Sequence, residues 1–358
     1  MRDVAVHTSQ REYRVRVGEG ALARIGAAVW SVSPHGRALL CSDDNVAPLY
    51  ADGVRQSLSE VGYNVTSVVA PAGERQKTLA TVQRLYDEFY DAGVRRTDVV
   101  VALGGGVIGD MVGFAAATYL RGVRLAQVPT TLLAQVDASV GGKVGVDYRD
   151  GKNYIGTFYQ PLLVLADPLV LATLPPREVR NGLAEVIKYG LLVGGDLWAR
   201  VQGAARTGQL SSDLIADCVA VKADIVARDE REETGERHLL NLGHTVGHGI
   251  EAAGGFHEWS HGEAVALGLR AALWLSVRLA GLASEQAEQA NATLSAVGLP
   301  ERFPRAAAGR ALELVGRDKK AGHSGVEYVL LRALGQPVRG VHVPAALLEE
   351  VVAWLTSE

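Results

Sequence analysis

The chain is poor in cysteine, in aromatic residues and in lysine, and it carries no excess of positive charge. Each shortage excludes something. Its two cysteines, Cys41 and Cys218, lie in different halves of the chain, which rules out a disulfide framework or a thiolate zinc site and fits a reducing compartment. A net charge of −4 over 358 residues gives no electrostatic ground for binding nucleic acid or an anionic membrane surface. No apolar run is long enough to span a bilayer. The opening Met1-Arg2-Asp3-Val4 is charged and lacks the apolar centre of a signal peptide, so a cytoplasmic location is expected.

The lysine shortage is the most informative. Of 36 basic residues only seven are lysine: Lys77, Lys143, Lys152, Lys188, Lys222, Lys319 and Lys320. Arginine serves wherever a surface cation suffices. A guanidinium is a planar fork that stays charged, whereas an ammonium is a compact point charge with a tunable pKa. The few lysines therefore mark positions where the ammonium itself matters.

The length predicts two domains. In the first half, β-rich runs at 13–17, 38–41, 64–69, 99–103, 124–128 and 162–166 alternate with helical apolar spacing at 45–61, 78–92 and 108–120. Such alternation predicts a Rossmann-like α/β domain, a mostly parallel sheet with helices on both faces, over 1–173. After Leu174-Pro175-Pro176 the pattern turns helical, with segments near 177–193, 210–228, 239–253, 261–281, 284–297 and 308–316. Two short strands, 326–331 and 338–343, precede a last helix at 345–355. A mainly α-helical domain over 174–358 is expected.

The strand at 99–103 runs into Gly104-Gly105-Gly106-Val107-Ile108-Gly109-Asp110 and then a helix, an order that lets backbone N–H groups approach a pyrophosphate. No ribose-binding acid follows about 20 residues on. Asp43-Asp44-Asn45, or the Gly73-Glu74-Arg75-Gln76-Lys77 stretch, would have to supply it. Between Asp137 and Asn153 lie Gly141-Gly142-Lys143 and Gly151-Lys152-Asn153, lysines beside glycines with little apolar patterning, which read as an anion-binding loop.

Five of the nine histidines fall between 238 and 261: His238, His244, His248, His257 and His261. His244 and His248 share a helix face, and His261-Gly262-Glu263 opens the next helix. Imidazoles with a carboxylate suit a catalytic divalent metal. Glu185 is attractive because it interrupts an apolar helical stretch; Glu251 and Glu263 are alternatives. Spacing does not decide whether His248 or His261 joins His244. The chemistry is expected where the Gly-rich half meets this histidine-rich half.

Taken together, these strings resemble the 3-dehydroquinate synthase family of sugar-phosphate cyclases, over almost the whole chain. The resemblance rests on Gly104–Asp110, on Phe114 through Gly122, on Pro129-Thr130-Thr131 through Asp137, and on Gly141–Lys143 and Gly151–Asn153. It continues through Leu174–Arg177, Gly182–Tyr189, Asn241–His248, His261-Gly262-Glu263 and Asp318-Lys319-Lys320. It implies a carbon–oxygen lyase that converts 3-deoxy-D-arabino-heptulosonate 7-phosphate to 3-dehydroquinate and phosphate, the second step of the shikimate pathway. The implied course is transient NAD-dependent oxidation, β-elimination, reduction, ring opening and intramolecular aldol closure.

The same resemblance implies Glu185, His244 and His261 as ligands of one zinc or cobalt ion. NAD would meet Asp43, Asn45, Glu74, Lys77, Gly105, Gly106, Val107, Ile108, Gly109, Asp110, Thr130, Thr131, Lys143, Lys152 and Thr173. The phosphorylated sugar acid would meet Asp137, Lys143, Asn153, Lys188, Lys222, Arg237, Asn241, His248 and a lysine of the Lys319-Lys320 pair, taken as Lys320. Arg121 would reach the phosphate across a homodimer interface. All seven lysines then occupy motif positions. Two departures stand out: Glu236 before Arg237, where an apolar residue is expected, and Asp147, where Asn is commoner. Competing readings are a cyclase of sedoheptulose 7-phosphate or glucose 6-phosphate, a metal-dependent polyol dehydrogenase, and an inactive zinc- and NAD-binding regulator.

Overall fold

A computed structural model of the chain describes residues 1–34, 36–149, 151–318 and 327–357. By its contacts the chain divides into two units: Met1–Pro175 with Ser211–Arg231, and Pro176–Leu210 with Glu232–Glu358.

The first unit is built on a seven-stranded sheet. Its strands are β1 (Arg2–His7), β2 (Glu12–Val17), β3 (Arg37–Asp43), β4 (Asn64–Ala70), β5 (Val99–Gly104), β6 (Arg124–Pro129) and, after the pair β7 (Lys143–Tyr148) and β8 (Gly151–Phe158), β9 (Leu163–Ala166). The sheet order is β1-β2-β9-β6-β5-β3-β4, parallel except for the β1–β2 hairpin. Helices α1 (Ile25–Trp30), α2 (Ala47–Glu60), α3 (Leu79–Asp91) and α4 (Gly106–Thr118) flank it.

The interior strand β5 is buried at every residue, as a parallel strand covered on both faces must be. Alternation along the strands divides the core in two. Leu39, Cys41, Val100 and Ala102 point to the layer containing α3 and α4; Ala38, Leu40, Val99, Val101 and Leu103 point to the layer with α1 and α2. Burial pushes the Cys41 thiol up, and Cys218 is also buried. Because β3 to β6 and β9 run parallel, Asp43, Ala70, Gly104, Pro129 and Ala166 end at one edge, where an open α/β sheet binds its ligands. The helix Ser212–Arg228 also belongs to this unit: Arg2 reaches Asp217 at 2.9 Å, and Glu230 accepts from the Ser9 N–H and hydroxyl.

Six strands and three helices of this unit lie close to where the sequence places them. The stretch 137–153, expected as a loop, instead contains β7 and the start of β8, an antiparallel pair. Its pattern was present in Val144 and Val146, which alternate and are buried, but four glycines and two lysines mask it. Strand β1 and helix α1 were also unforeseen; β1 is an edge strand with only Val6 buried.

The second unit contains α5 (Pro176–Val193), α6 (Gly195–Thr207) and, past the helix Ser212–Arg228 (α7) of the first unit, α8 (His244–Ala253), α9 (His261–Leu279), α10 (Ser284–Ala296), α11 (Ala308–Asp318) and α12 (Ala345–Trp354). A pair β10 (Phe303–Pro304) with β13 (Thr356–Ser357), and the hairpin β11 (Glu327–Ala333) with β12 (Gln336–His342), complete it. Helix α9 is its axis, buried along most of its length and packed by α5, α8, α10, α12 and β11. Two glycines permit the approach. A Cβ on Gly262 would lie 2.0 Å from the Asn181 carbonyl oxygen of α5; one on Gly268 would lie 1.8 Å from the Gly243 carbonyl oxygen at the start of α8. Both obstacles are backbone and cannot rotate away. Gly262→Ala and Gly268→Ala are each expected to cost about 1–3 kcal/mol as the helices are forced apart; a thermal melt of each variant measures it.

Candidate active site

Glu185 sits on α5, wholly buried, and three of the five clustered histidines converge near it. The Nε2 atoms of His244 and His261 each stand 3.3 Å from Glu185 Oε1. The His244 and His261 rings are 5.4 Å apart, with His248 at 5.2 Å from His244 and 6.2 Å from His261. His238 and His257 are exposed and stand outside the group. Two sets bring ligand atoms within 4.8 Å of one another: Glu185 with His244 and His261, and His248 with Glu251 and His261. In the first, both imidazoles aim at one carboxylate oxygen. That oxygen is sealed from solvent and hydrogen-bonded to nothing among the described residues. A divalent cation would supply what it lacks.

The charge states suit such an ion. Burial alone would push the Glu185 carboxyl up, but the Lys188 ammonium one turn along α5 and the His244 imidazole hold it well below the usual carboxylate range. Burial, aided by Lys188, pushes His244 down, against the pull of Glu185. The result is an ionised carboxylate with a neutral imidazole, a nitrogen–oxygen donor set of the zinc and cobalt kind. His244 Nδ1 faces the Leu242 carbonyl oxygen at 3.2 Å, which leaves Nε2 to face Glu185.

Glu263 has another task. His261 is the first residue of α9, and the preceding Ser260 caps that helix reciprocally with Glu263. Arg177 of α5 holds Glu263 through two further bonds, at 2.9 and 2.6 Å. Burial works against this carboxylate, but Arg177 and the Ser260 N–H lower its pKa overall. The S-x-x-E signature at Ser260–Glu263 carried this role in plain sight.

In the first unit the glycine loop joins β5 to α4. Gly105 is the N-cap of α4 and offers no side-chain cap to the first-turn N–H groups, an arrangement that can receive a phosphate. Side chains here would collide: a Cβ on Gly105 would lie 3.0 Å from Thr131 Cγ2, and one on Gly109 2.7 Å from Gln127 Oε1. Asp43, buried, accepts from the Asn45 and Val46 N–H groups at 3.0 Å each, an Asx-turn that fixes the loop after β3; burial raises its pKa. Thr130 follows β6, with its N–H bonded to the Gly104 carbonyl oxygen. Thr173 shares a 2.7 Å hydrogen bond with Tyr50.

The lysines pair with carboxylates. Lys77 Nζ lies 2.5 Å from Asp110 Oδ2, Lys152 Nζ 3.4 Å from Glu74 Oε1, and Lys222 Nζ 3.0 Å from Asp137 Oδ1. Burial lowers the Lys77 ammonium's pKa, but Asp110 and Glu74 outweigh it and the net shift is upward. Lys143 is exposed at the start of β7. Asp147, the departure from the expected Asn, accepts from the Asn153 N–H at 2.8 Å while its own N–H bonds the Lys77 carbonyl oxygen at 2.9 Å. It thereby ties the Lys77 stretch to the turn that carries Lys152 and Asn153, both residues of the first unit's expected set. Arg121 and its neighbour Leu120 both have left-handed backbones, φ 63° and 50°, a strain of about 1–3 kcal/mol each.

Arg237 is buried in the short helical turn Glu236–Asn241, 3.8 Å from Glu232. Glu236 meets Arg339 at 3.0 Å, so the unexpected acid before Arg237 has a partner of its own. Asn241, exposed, ends the same turn. Lys319 and Lys320 lie outside the described residues.

Two family models cover the middle and end of the chain: 3-dehydroquinate synthase N-terminal over residues 67–181 and 3-dehydroquinate synthase C-terminal over 182–321. Curated 3-dehydroquinate synthases match nearly end to end. That of Halorhodospira halophila is 47% identical over 358 residues, covering 98% of this chain and 99% of its own; that of Gloeobacter violaceus is 46% identical over 348 residues, 95% of each. The chain belongs to the 3-dehydroquinate synthase family. Related cyclases of known structure share its fold at lower identity. A 2-deoxy-scyllo-inosose synthase, complexed with carbaglucose-6-phosphate, NAD+ and Co2+, superposes with a TM-score of 0.88 at 25% identity, covering 98% of this chain and 99% of that one. The 2-epi-5-epi-valiolone synthase of Streptomyces hygroscopicus subsp. jinggangensis, with NAD+ and Zn2+ bound, gives 0.89 at 28%, covering 98% of each.

Two outcomes follow for this family member. Glu185→Ala and His261→Ala are each expected to lose bound metal and activity together, measured by elemental analysis of the purified protein beside an activity assay; full activity with no metal in either variant contradicts the ligand set. The depressed pKa of Glu263 means that its contribution to stability is present above the ordinary carboxylate value of about 4.3 and is lost as pH falls through the lower folded value. The melting temperature of Glu263→Gln should therefore lie below that of the parent at neutral pH, and the two should converge as pH falls through the lowered folded value.

Proposed function

We propose that the chain catalyses the conversion of 3-deoxy-D-arabino-heptulosonate 7-phosphate to 3-dehydroquinate and phosphate, with NAD and one zinc or cobalt ion. The observation that carries this reading is the buried Glu185 carboxylate with two imidazole nitrogens at 3.3 Å, in a chain whose relatives named for this activity match it nearly end to end. The cyclases that act in related chemistry stand at 25–28% identity, far below the 46–47% of the dehydroquinate synthases, which favours the heptulosonate over another sugar phosphate.

Glu185, His244 and His261 would hold the metal. The nucleotide would lie along the edge bearing Asp43, Asn45, Glu74, Lys77, Gly105 to Asp110, Thr130, Thr131, Lys152 and Thr173, in an NAD-binding domain over 1–173. When bound, NAD and the metal supply reversible hydride removal and polarisation of the alcohol oxygen. The chain's own contribution is orientation and charge. Lys143, Lys188, Lys222, Arg237 and Lys320, with Asn153, Asn241 and His248, would grip a phosphate and a carboxylate at once and keep one conformer of the sugar. Asp137 holds the Lys222 ammonium by both its carboxylate and its carbonyl oxygen, so that charge is fixed before substrate arrives. A homodimer in which Arg121 serves the partner's phosphate site explains why two successive residues accept left-handed strain there.

No helix among the described residues is long and apolar enough to cross a membrane, and a cytoplasmic enzyme is the accompanying proposal. The deciding assay supplies the heptulosonate phosphate, metal and a trace of NAD+. Phosphate should be released far in excess of the nucleotide with no net NADH. Stoichiometric NADH would indicate a polyol dehydrogenase, and no phosphate release would refute the proposal.

A further inference from the structure

Glu251 plays no part in the ligand set just proposed, yet it is a buried carboxylate, 2% exposed, on α8. It stands two turns beyond His244, so α8 presents it on the same side as that imidazole. Its Oε2 lies 3.5 Å from His261 Nδ1. The other nitrogen of that ring, Nε2, faces Glu185 Oε1 at 3.3 Å. The His261 imidazole thus sits between two buried carboxylates, one at each nitrogen. His244 repeats the arrangement with a neutral acceptor, the Leu242 carbonyl oxygen, at its Nδ1.

A neutral imidazole has one proton, and a metal on Nε2 commits that proton to Nδ1. An acceptor at Nδ1 then fixes the tautomer and the ring plane, and a charged acceptor makes the imidazole a stronger donor. We infer that Glu251 is a positioning residue for the metal: it accepts the Nδ1–H of His261 and aims Nε2 at the ion, so that one ligand histidine is tuned by a carboxylate and the other by a backbone carbonyl. This rests on the proposed ligand set of Glu185, His244 and His261. Because Glu251 belongs to α8 and His261 to α9, the contact also ties the two ligand-bearing helices through the ligand itself. His261 as first residue of α9 has no preceding helical turn to restrain its side chain, which is where an outside anchor is needed.

The test uses the full-length protein stripped with chelator and titrated with zinc against a chromophoric competitor, without substrate or NAD. Glu251→Gln keeps size and can still accept one hydrogen bond; Glu251→Ala removes the acceptor. The expected result is zinc affinity lowered about 10-fold in Glu251→Gln and up to about 100-fold in Glu251→Ala, with the melting temperature of metal-free Glu251→Gln close to that of the parent. In cobalt-loaded protein, proton spectra should show two exchangeable, strongly shifted imidazole N–H signals. The one from His261 should move in Glu251→Gln and vanish into solvent exchange in Glu251→Ala, while that from His244 stays.

Zinc affinity of Glu251→Gln within twofold of the parent, with unchanged N–H signals, overturns the inference, as does a loss of melting temperature without loss of affinity. Metal kept by Glu185→Ala but lost from His248→Ala and Glu251→Gln overturns it differently, since Nδ1 would then be the ligand atom. Metal kept by His261→Ala would instead refute the ligand set on which the inference stands.

Discussion

A carboxylate with no exposure to water has to be compensated, and the second unit is organised around doing so for Glu185. Lys188, one turn along the same helix, supplies the opposite charge, and two imidazoles from other helices close over the remaining oxygen. A pair so deeply buried adds little to stability for its own sake. Its effect is to fix an ionised carboxylate at one point. The constraint then spreads outward. Bringing three helices to that point requires backbone contact distances, hence glycine at 262 and 268, and a defined start for α9, hence the cap at Ser260 with its brace from Arg177.

The first unit applies the same logic to cations. Lys77, Lys152 and Lys222 each stand against a carboxylate. An ammonium on a four-carbon stem has many conformers, and the paired acid selects one of them. Side-chain ordering that would otherwise be lost on binding an anion is already complete. The glycine loop works by the opposite means, with no side chains at all, leaving the N–H groups of α4 to define the site.

Much of this was legible in the sequence, for reasons specific to its residues. The strands β3, β5 and β6 are nearly continuous aliphatic runs ending in glycine, proline or aspartate, so their existence and edge could be read directly. The ammonium scarcity pointed to Lys77, Lys188 and Lys222, three of the chain's most deeply placed charges. What could not be read was which acid serves which base. Glu185 stood out as an interruption of an apolar stretch, but spacing left Glu251 and Glu263 open, and only the packing gives one to the two imidazole Nε2 atoms, one to the far side of His261 and one to a helix cap. Spacing left open whether His248 or His261 joins His244 for the same reason, since it says nothing of how the start of α9 packs against α8. The β7–β8 pair was hidden by its glycines, and the left-handed turn at Leu120–Arg121 has no glycine to announce it before Gly122.

The disposition of the lysines has an effect on the protein as a whole. Among the described residues, Lys77, Lys188 and Lys222 are buried, and only Lys143 and Lys152 reach solvent. The positive charge that the described surface shows to water is therefore almost all guanidinium, which does not give up its proton at any accessible pH. The field that the described surface presents to an arriving anion thus rests on cations that a change of pH does not discharge.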